Sequence, residues 1–249
     1  MRKLFPALAI LVVAAVATSP AAAYPKPAVN KTAWELDVQT SAPIRIAVKA
    51  PGDSAPKAYW YMLMTVTNNT GEEQQFLPEV ELVDDKGNVF RSDKSIPQAV
   101  FDQIKQVTGK KLLVPLGKAS GPIRQGPDEA VDTVAIWPEP LERMGSFTVF
   151  VSGLSGESLW YDAKNRRELR MGPLGTSGRL TWHKDGVPMK DPNDAEGKKF
   201  LQVDWTEIKP TEIGEMLRKT LQLDYQVPGD EFYAGKDVII QKAKTWVMR

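Results

Sequence analysis

The sequence has 249 residues, of which 42% are hydrophobic and 25% are charged, values typical of one large globular domain or two small ones. With 32 Lys and Arg against 31 Asp and Glu, the chain lacks the basic excess expected for binding nucleic acid or an anionic membrane. The absence of cysteine excludes disulfides, thiolate metal sites, cysteine nucleophiles and a lipoprotein anchor.

The first 23 residues have the three parts of a secretory signal peptide. Arg2 and Lys3 form a basic start, residues 8–17 form an unbroken apolar run, and small residues ending at Ala23 supply a cleavage site. The apolar run is roughly half of the ~20 residues that a membrane-spanning helix needs. We therefore expect cleavage near Ala23 and export to the periplasm or the extracellular space, with no transmembrane anchor afterwards.

Strand patterns dominate the chain after a flexible leader predicted over residues 24–42. Residues 58–67 are apolar on both faces at first, which is typical of a central strand buried on both sides. The region 155–167 is polar and is predicted to be a loop, and residues 211–217 suggest a short helix. Further strands are predicted at residues 44–49, 76–83, 89–90, 131–137, 147–152, 180–183, 200–206, 221–227 and within 237–248.

One helix is predicted to interrupt the strands, at about residues 95–108. Ser95 and Gln98 have the spacing of an S-x-x-Q capping box, and Gly109 can close the C-terminus of the helix. Its apolar residues at helical spacing are Val100, Phe101, Ile104 and Val107.

Many short strands with Gly, Pro and Asn breaks, and a single clear helix, predict an all-β antiparallel sandwich. The alternative is a parallel βαβ fold, which requires several crossover helices. We expect one elaborated β-sandwich domain over residues 43–249, with additional C-terminal strands and a soft boundary within 155–179.

The stretch "TVTNNTGEEQQFLPEVELVDDKGNVF", residues 65–90, resembles a theme of bacterial exported immunoglobulin-like domains. The resemblance implies an immunoglobulin-like antiparallel β-sandwich and an extracytoplasmic binding or scaffolding module. It carries over no catalytic residue. The residues that match the theme are Asn68, Asn69, Gly71, Phe76, Pro78, Leu82, Asp84 and Gly87.

Signatures of catalysis and of metal binding are weak in this chain. His183 is the single histidine, and no G-x-S-x-G or H-E-x-x-H motif is present. Calcium could bind the acidic segments 84–88 or 191–197, but their residues are typical of turns and miss the EF-hand spacing. The acidic residues Asp204, Glu207 and Asp224 lie in or next to predicted strands, where such residues are typical of a solvated sheet face. We therefore assign no catalytic, metal-binding or cofactor-binding residue and expect no cofactor.

One candidate interaction patch combines aromatic and basic residues in the polar region after residue 155. Exposed aromatic rings can stack on a sugar or anchor a protein partner. The patch comprises Trp160, Tyr161, Lys164, Arg166, Arg167 and Arg170.

These observations predict a non-catalytic exported β-sandwich protein that acts as an envelope interaction or scaffolding module. Its expected partner is another envelope protein or a polysaccharide, and not nucleic acid. The alternatives are a carbohydrate-binding module that uses Trp160 and Tyr161, and a carboxylate-dependent hydrolase.

Overall fold

The structure is a computed structural model that describes residues 25–140, 145–171, 179–208, 214–227 and 239–249. The predicted signal peptide lies outside these residues. In the described part the chain is an all-β protein with mainly antiparallel sheets. None of the helices there is long and apolar enough to cross a membrane.

The described residues form seventeen strands and two α-helices. The strands are β1 (Asp37–Thr40), β2 (Ile44–Val48), β3 (Lys57–Thr67), β4 (Gln74–Phe76), β5 (Glu79–Asp84), β6 (Val89–Arg91), β7 (Val114–Pro115), β8 (Gly121–Ile123), β9 (Val131–Pro138), β10 (Ser146–Ser152), β11 (Ser158–Asp162), β12 (Arg167–Met171), β13 (Arg179–Lys184), β14 (Val187–Pro188), β15 (Gln202–Asp204), β16 (Glu215–Gln226) and β17 (Ile240–Met248). The helices are α1 (Gln98–Thr108) and α2 (Leu116–Ala119).

Two sheets face each other across the main core. The first has the order β1–β3–β9–β7, with β2 also paired to β3. The second contains β6, β5, β10 and β16 in succession, with β17 paired to β16. Trp60 and Met62 of β3 pack in one buried cluster with Phe147 and Val149 of β10, so the hydrophobic effect holds the two sheets together.

The outer face of β3 is also buried, because α1 covers it. Tyr59 and Tyr61 belong to a second core cluster that includes Val100 and Ile104 of α1. Burial of consecutive residues in β3 confirms the predicted central strand.

The start of α1 differs from the prediction. The helix begins at Gln98, its N-cap is Pro97, and no side chain caps it. Ser95 has a left-handed backbone (φ 57°), which places it in the preceding loop, so the predicted capping box is wrong. Gly109 does close the helix with φ 66°, and Val107 is 56% exposed instead of buried.

The predicted loop over 155–167 is wrong for much of its length, since β11 and the start of β12 lie there. β10 and β11 pair with successive parts of β16: Val151 lies opposite Leu221, and Ser158 lies opposite Arg218. From β11 the sheet continues through β12 and β13 to β14 and β15. The single strand β16 therefore joins the sandwich to this extension. Residues 211–213 of the suggested short helix lie outside the described part of the chain, and Glu215–Leu217 belong to β16.

The stretch 65–90 folds as turns between strands. Asn68 is fully buried and donates from Nδ2 to the carbonyls of Glu72 and Ile123, both at 2.8 Å. Asp84 accepts hydrogen bonds from the amides of Lys86 and Asn88. These contacts support the interpretation of the polar residues as turn residues.

One strand predicted in this stretch is divided in the structure. Residues 76–83 divide between β4 and β5, since β4 pairs with β8 and β5 pairs with β10. Gly71 and Gly87 have positive φ, whereas Asn68 and Asn69 do not. Asn68 instead stabilises the turn through the hydrogen bonds of its side chain.

Part of the predicted leader belongs to the sandwich. β1 lies within residues 24–42 and pairs with β3. Leu36 is 1% exposed in the main core, and its amide donates to the Leu154 carbonyl at 2.8 Å.

Gly153 is required where the chain leaves β10. Its φ is +82°, and a Cβ atom there would overlap the carbonyl oxygen of Leu77. Gly186 is a matched control, with φ +80° and open space around the Cβ position. We expect Gly153→Ala to lower the free energy of unfolding by clearly more than Gly186→Ala, whose strain costs about 1 kcal/mol. Urea denaturation of both variants measures the difference, and equal losses would contradict the overlap.

Asp93 is a half-buried carboxylate in the loop before α1, and its Oδ2 atom is buried with no hydrogen-bond partner among the described residues. Burial raises the pKa of Asp93 from 3.8 to about 6. The stability that the protonated form contributes is therefore present below pH 4 and is lost as the pH rises through about 6.

We expect Asp93→Asn to stabilise the protein at pH 8 by about 1–3 kcal/mol and to have little effect at pH 4. Asn keeps the side chain neutral and tolerates the φ of 60° at this position. Asp185→Asn is the control, since Asp185 has φ 50° and an exposed side chain. Chemical denaturation at both pH values tests this, and an equal gain at both would exclude burial of the charge as the cause.

Candidate functional site

A groove of about 1050 Å³ lies at the end of β17. We call it the terminal groove. One wall is the chain between Pro25 and Lys31, and the other is residues 245–249. Glu35, Lys219 and Phe150 complete its lining. Apolar groups such as Trp246 line much of it beside a few charged ones, which is the character of many binding sites.

Lys219 supplies a buried charge at the groove. It lies on β16, and its side chain is 7% exposed. Its ammonium lies 2.8 Å from Glu35 Oε2, 3.3 Å from Glu157 Oε2 and 5.1 Å from the ring centroid of Trp246. A buried ammonium requires such compensation, since its loss of hydration is otherwise very unfavourable.

The ion pairs around Lys219 also hold the N-terminal wall in place. Glu157 accepts a hydrogen bond from the amide of Ala28 at 2.7 Å. Arg170 lies 3.5 Å from Glu157 and 2.7 Å from Glu168, and it donates to the Lys26 carbonyl at 2.6 Å. We call Glu35, Lys219, Glu157, Arg170 and Glu168 the ionic network. It joins segments that are far apart in the sequence.

The other wall of the groove is the edge of a sheet. Of the strands that the structure describes, β16 alone pairs with β17. Trp246 lies opposite Leu221, whose side chain is in the main core, and Trp246 also packs against that core. Val247 lies opposite Thr220 and, by strand alternation, faces the other side of the sheet.

Arg249 closes the outer side of the groove. Its guanidinium lies 4.1 Å from the ring centroid of Phe150 and 2.7 Å from Glu81 Oε2. Lys26 and Lys31 also line the groove, so its rim carries more positive than negative charge.

The predicted aromatic pair does not form a single platform. Trp160 and Tyr161 are consecutive in β11 and half-buried, so their side chains point to opposite faces of the sheet. Trp160 packs with Leu169 and Leu180, whereas Tyr161 packs with Leu159.

The basic residues of the predicted patch also separate. Arg166 is exposed and pairs with Asp185 at 2.7 Å. Arg167 lies 3.4 Å from Asp162, with its guanidinium 4.9 Å from the ring centroid of Trp182. Arg170 belongs to the ionic network, and Lys164 is exposed at the turn. The structure thus places one of the predicted residues, Arg170, behind the terminal groove.

His183 lies on β13, where its Nδ1 is 3.1 Å from the Thr181 carbonyl. Burial lowers the pKa of His183, so its neutral form is favoured. Asp185, the acidic residue nearest to His183 in the sequence, pairs with Arg166.

The acidic candidates serve local structure. Asp194 accepts from the amide of Lys199, Asp204 from that of Thr206, and Asp224 from the hydroxyl of Thr148. Across the described ranges, no group of three or more His, Cys, Asp or Glu is placed to hold a metal ion.

The ionic network generates a stability prediction. Lys219→Met removes the cation that pairs with Glu35 and leaves Arg170 as the cation beside Glu157, and we expect it to lower the free energy of unfolding by roughly 3–5 kcal/mol. Lys242→Met, at an exposed position of β17, should change it by less than about 0.5 kcal/mol. Adding Glu35→Gln and Glu157→Gln to Lys219→Met should restore part of the loss. Urea denaturation measures all three, and a small effect of Lys219→Met alone would contradict the network's role.

Comparison with known proteins finds no matching family model, curated protein or solved structure. The geometry of the terminal groove is therefore the basis for the function proposed below.

Proposed function

We propose that the protein is an exported, non-catalytic binding module with an immunoglobulin-like sandwich, and that it binds an envelope partner in the terminal groove. The observation that carries the proposal is the coincidence of a large, mainly apolar groove with the edge of β17. Apolar cavities beside a strand edge bind partners through burial and through backbone hydrogen bonds together.

Two features of the sequence support export and the sandwich class. Residues 1–23 have the pattern of a signal peptide, and residues 65–90 resemble exported immunoglobulin-like domains. The antiparallel sheets are consistent with that class.

The chemistry of the groove favours binding over hydrolysis. A carboxylate-dependent hydrolase needs two facing carboxyl groups at a cleft. Glu35 is the carboxylate that lines this groove, and Lys219 pairs with it at 2.8 Å. A protein partner is favoured over a polysaccharide because Trp160 and Tyr161 lie on opposite faces of β11.

Site-specific photocrosslinking in cells that express and export the protein tests this proposal. A photoreactive residue at Val29 or Thr245, both exposed at the groove, should crosslink to one defined envelope protein. The same residue at Leu112 or Val187, which are 84% and 65% exposed away from the groove, serves as the control.

Equal crosslinking at the control positions would overturn the assignment of the groove. A crosslink to glycan would favour the carbohydrate-binding alternative. The chain recovered from the envelope should lack residues 1–23, and retention of those residues in a cytoplasmic product would contradict export.

A further inference from the structure

We infer that the partner segment in the terminal groove is an extended acidic peptide that adds to β17 as a further antiparallel or parallel strand. The inference rests on the proposed function and specifies the chemistry of the partner. It follows from the backbone register of β17, from the two faces of the groove and from the charges around it.

The backbone register shows which groups of β17 face the edge that no strand in the described ranges pairs with. Arg249 and Arg218 exchange two backbone hydrogen bonds, at 2.8 and 3.0 Å, so the backbone groups of Arg249 point to β16. Because these groups alternate along an antiparallel strand, those of Met248, Trp246 and Lys244 point away from β16. The register is continuous over this part of the strand. The amides of Trp246 and Met248 are therefore placed to bond a further strand.

The terminal groove lies on both faces of the same strand. Trp246 and Met248 line it and point toward the core side, whereas Thr245 and Val247 line it from the other side. A strand added beside β17 places alternate side chains on these two faces. A ligand that covers one face of β17 alone would not contact the groove residues on the other face. The span from Lys244 to Arg249 fits about six residues of such a strand, about 20 Å.

Charge selects the composition of the added strand. Lys242 and Lys244 are exposed on β17, and Lys26 and Lys31 line the groove opposite. Lys244 also donates to the Val38 carbonyl at 3.1 Å. Carboxylates on the incoming strand would meet these cations.

The same lysines argue against a second copy of this chain as the occupant. Pairing of β17 with β17 of another copy would bring like charges together across the new edge, which is unfavourable. Lysine on an edge strand is a common means of preventing such self-association. The acidic partner strand is therefore favoured over a symmetric dimer.

A displayed library of random peptides of about ten residues, selected against the mature protein, provides the probe. We expect enriched peptides that alternate apolar with acidic residues. In the presence of the best peptide, amide hydrogen exchange at Trp246 and Met248 should slow by at least about tenfold. Exchange at Thr245 and Val247 should change little, since their amides face β16.

Two variants test the charge argument. Lys242→Glu with Lys244→Glu should weaken binding by about tenfold or more, equivalent to about 1.4 kcal/mol. The control variant is Lys164→Glu with Lys198→Glu, at exposed positions in turns outside β17, and it should leave the affinity unchanged. Raising the salt concentration should also weaken binding to the unmodified protein.

The results separate this inference from the proposed function. Enrichment of basic peptides, failure to enrich any peptide, or binding that leaves the Trp246 and Met248 amides unprotected would overturn strand addition. The proposed function would still stand if the groove positions crosslink to an envelope protein and the control positions do not. Loss of that selective crosslinking would overturn the groove as a binding site.

Discussion

The buried ammonium of Lys219 is the constraint on which the arrangement of this protein depends. A charge at 7% exposure is tolerated only where carboxylates compensate it. Glu35 comes from the N-terminal segment and Glu157 from the junction of β10 and β11, so both segments must meet at β16. Arg170 then extends the network to β12. The position of the N-terminal wall, and with it the terminal groove, follows from this pairing.

β16 carries this network and the core at the same time. Leu221 and Leu223 pack between the sheets, whereas Leu217 packs in the small cluster beneath β11. Because β10 and β11 pair with successive parts of β16, the sandwich and its extension share one strand. A substitution that disturbs β16 would therefore affect the main core, the extension and the groove together. For such a substitution, a loss of stability and a loss of binding would be difficult to separate.

Local sequence patterns predicted the strands that are buried on one face or on both faces. Residues 58–67 were recognisable because their apolar residues are consecutive, and Gly109 because a left-handed C-cap favours glycine. β11 and β12 were missed because their charged residues pair within the sheet or in the ionic network. The Ser95 capping box failed because the same spacing also fits a loop with left-handed residues. The terminal groove was not predictable, since it joins residues near 25–31 to residues near 245–249 and no local pattern reports such a contact.

The edge of β17 that faces away from β16 pairs with no strand among the residues the structure describes. Such an edge poses a general physical problem, which this chain addresses in two ways. Unpaired backbone groups on an edge strand promote association with any other exposed edge. Lys242 and Lys244 disfavour edges of like charge, and the N-terminal segment from Pro25 to Lys31 narrows access to the final residues of the strand. Neither device removes the backbone donors of Trp246 and Met248. An edge that is protected against copies of itself but keeps its donors beside an apolar cavity is selective for a partner of opposite charge. Selectivity at this edge therefore comes from the lysines, and the backbone supplies hydrogen bonds that any extended peptide can use.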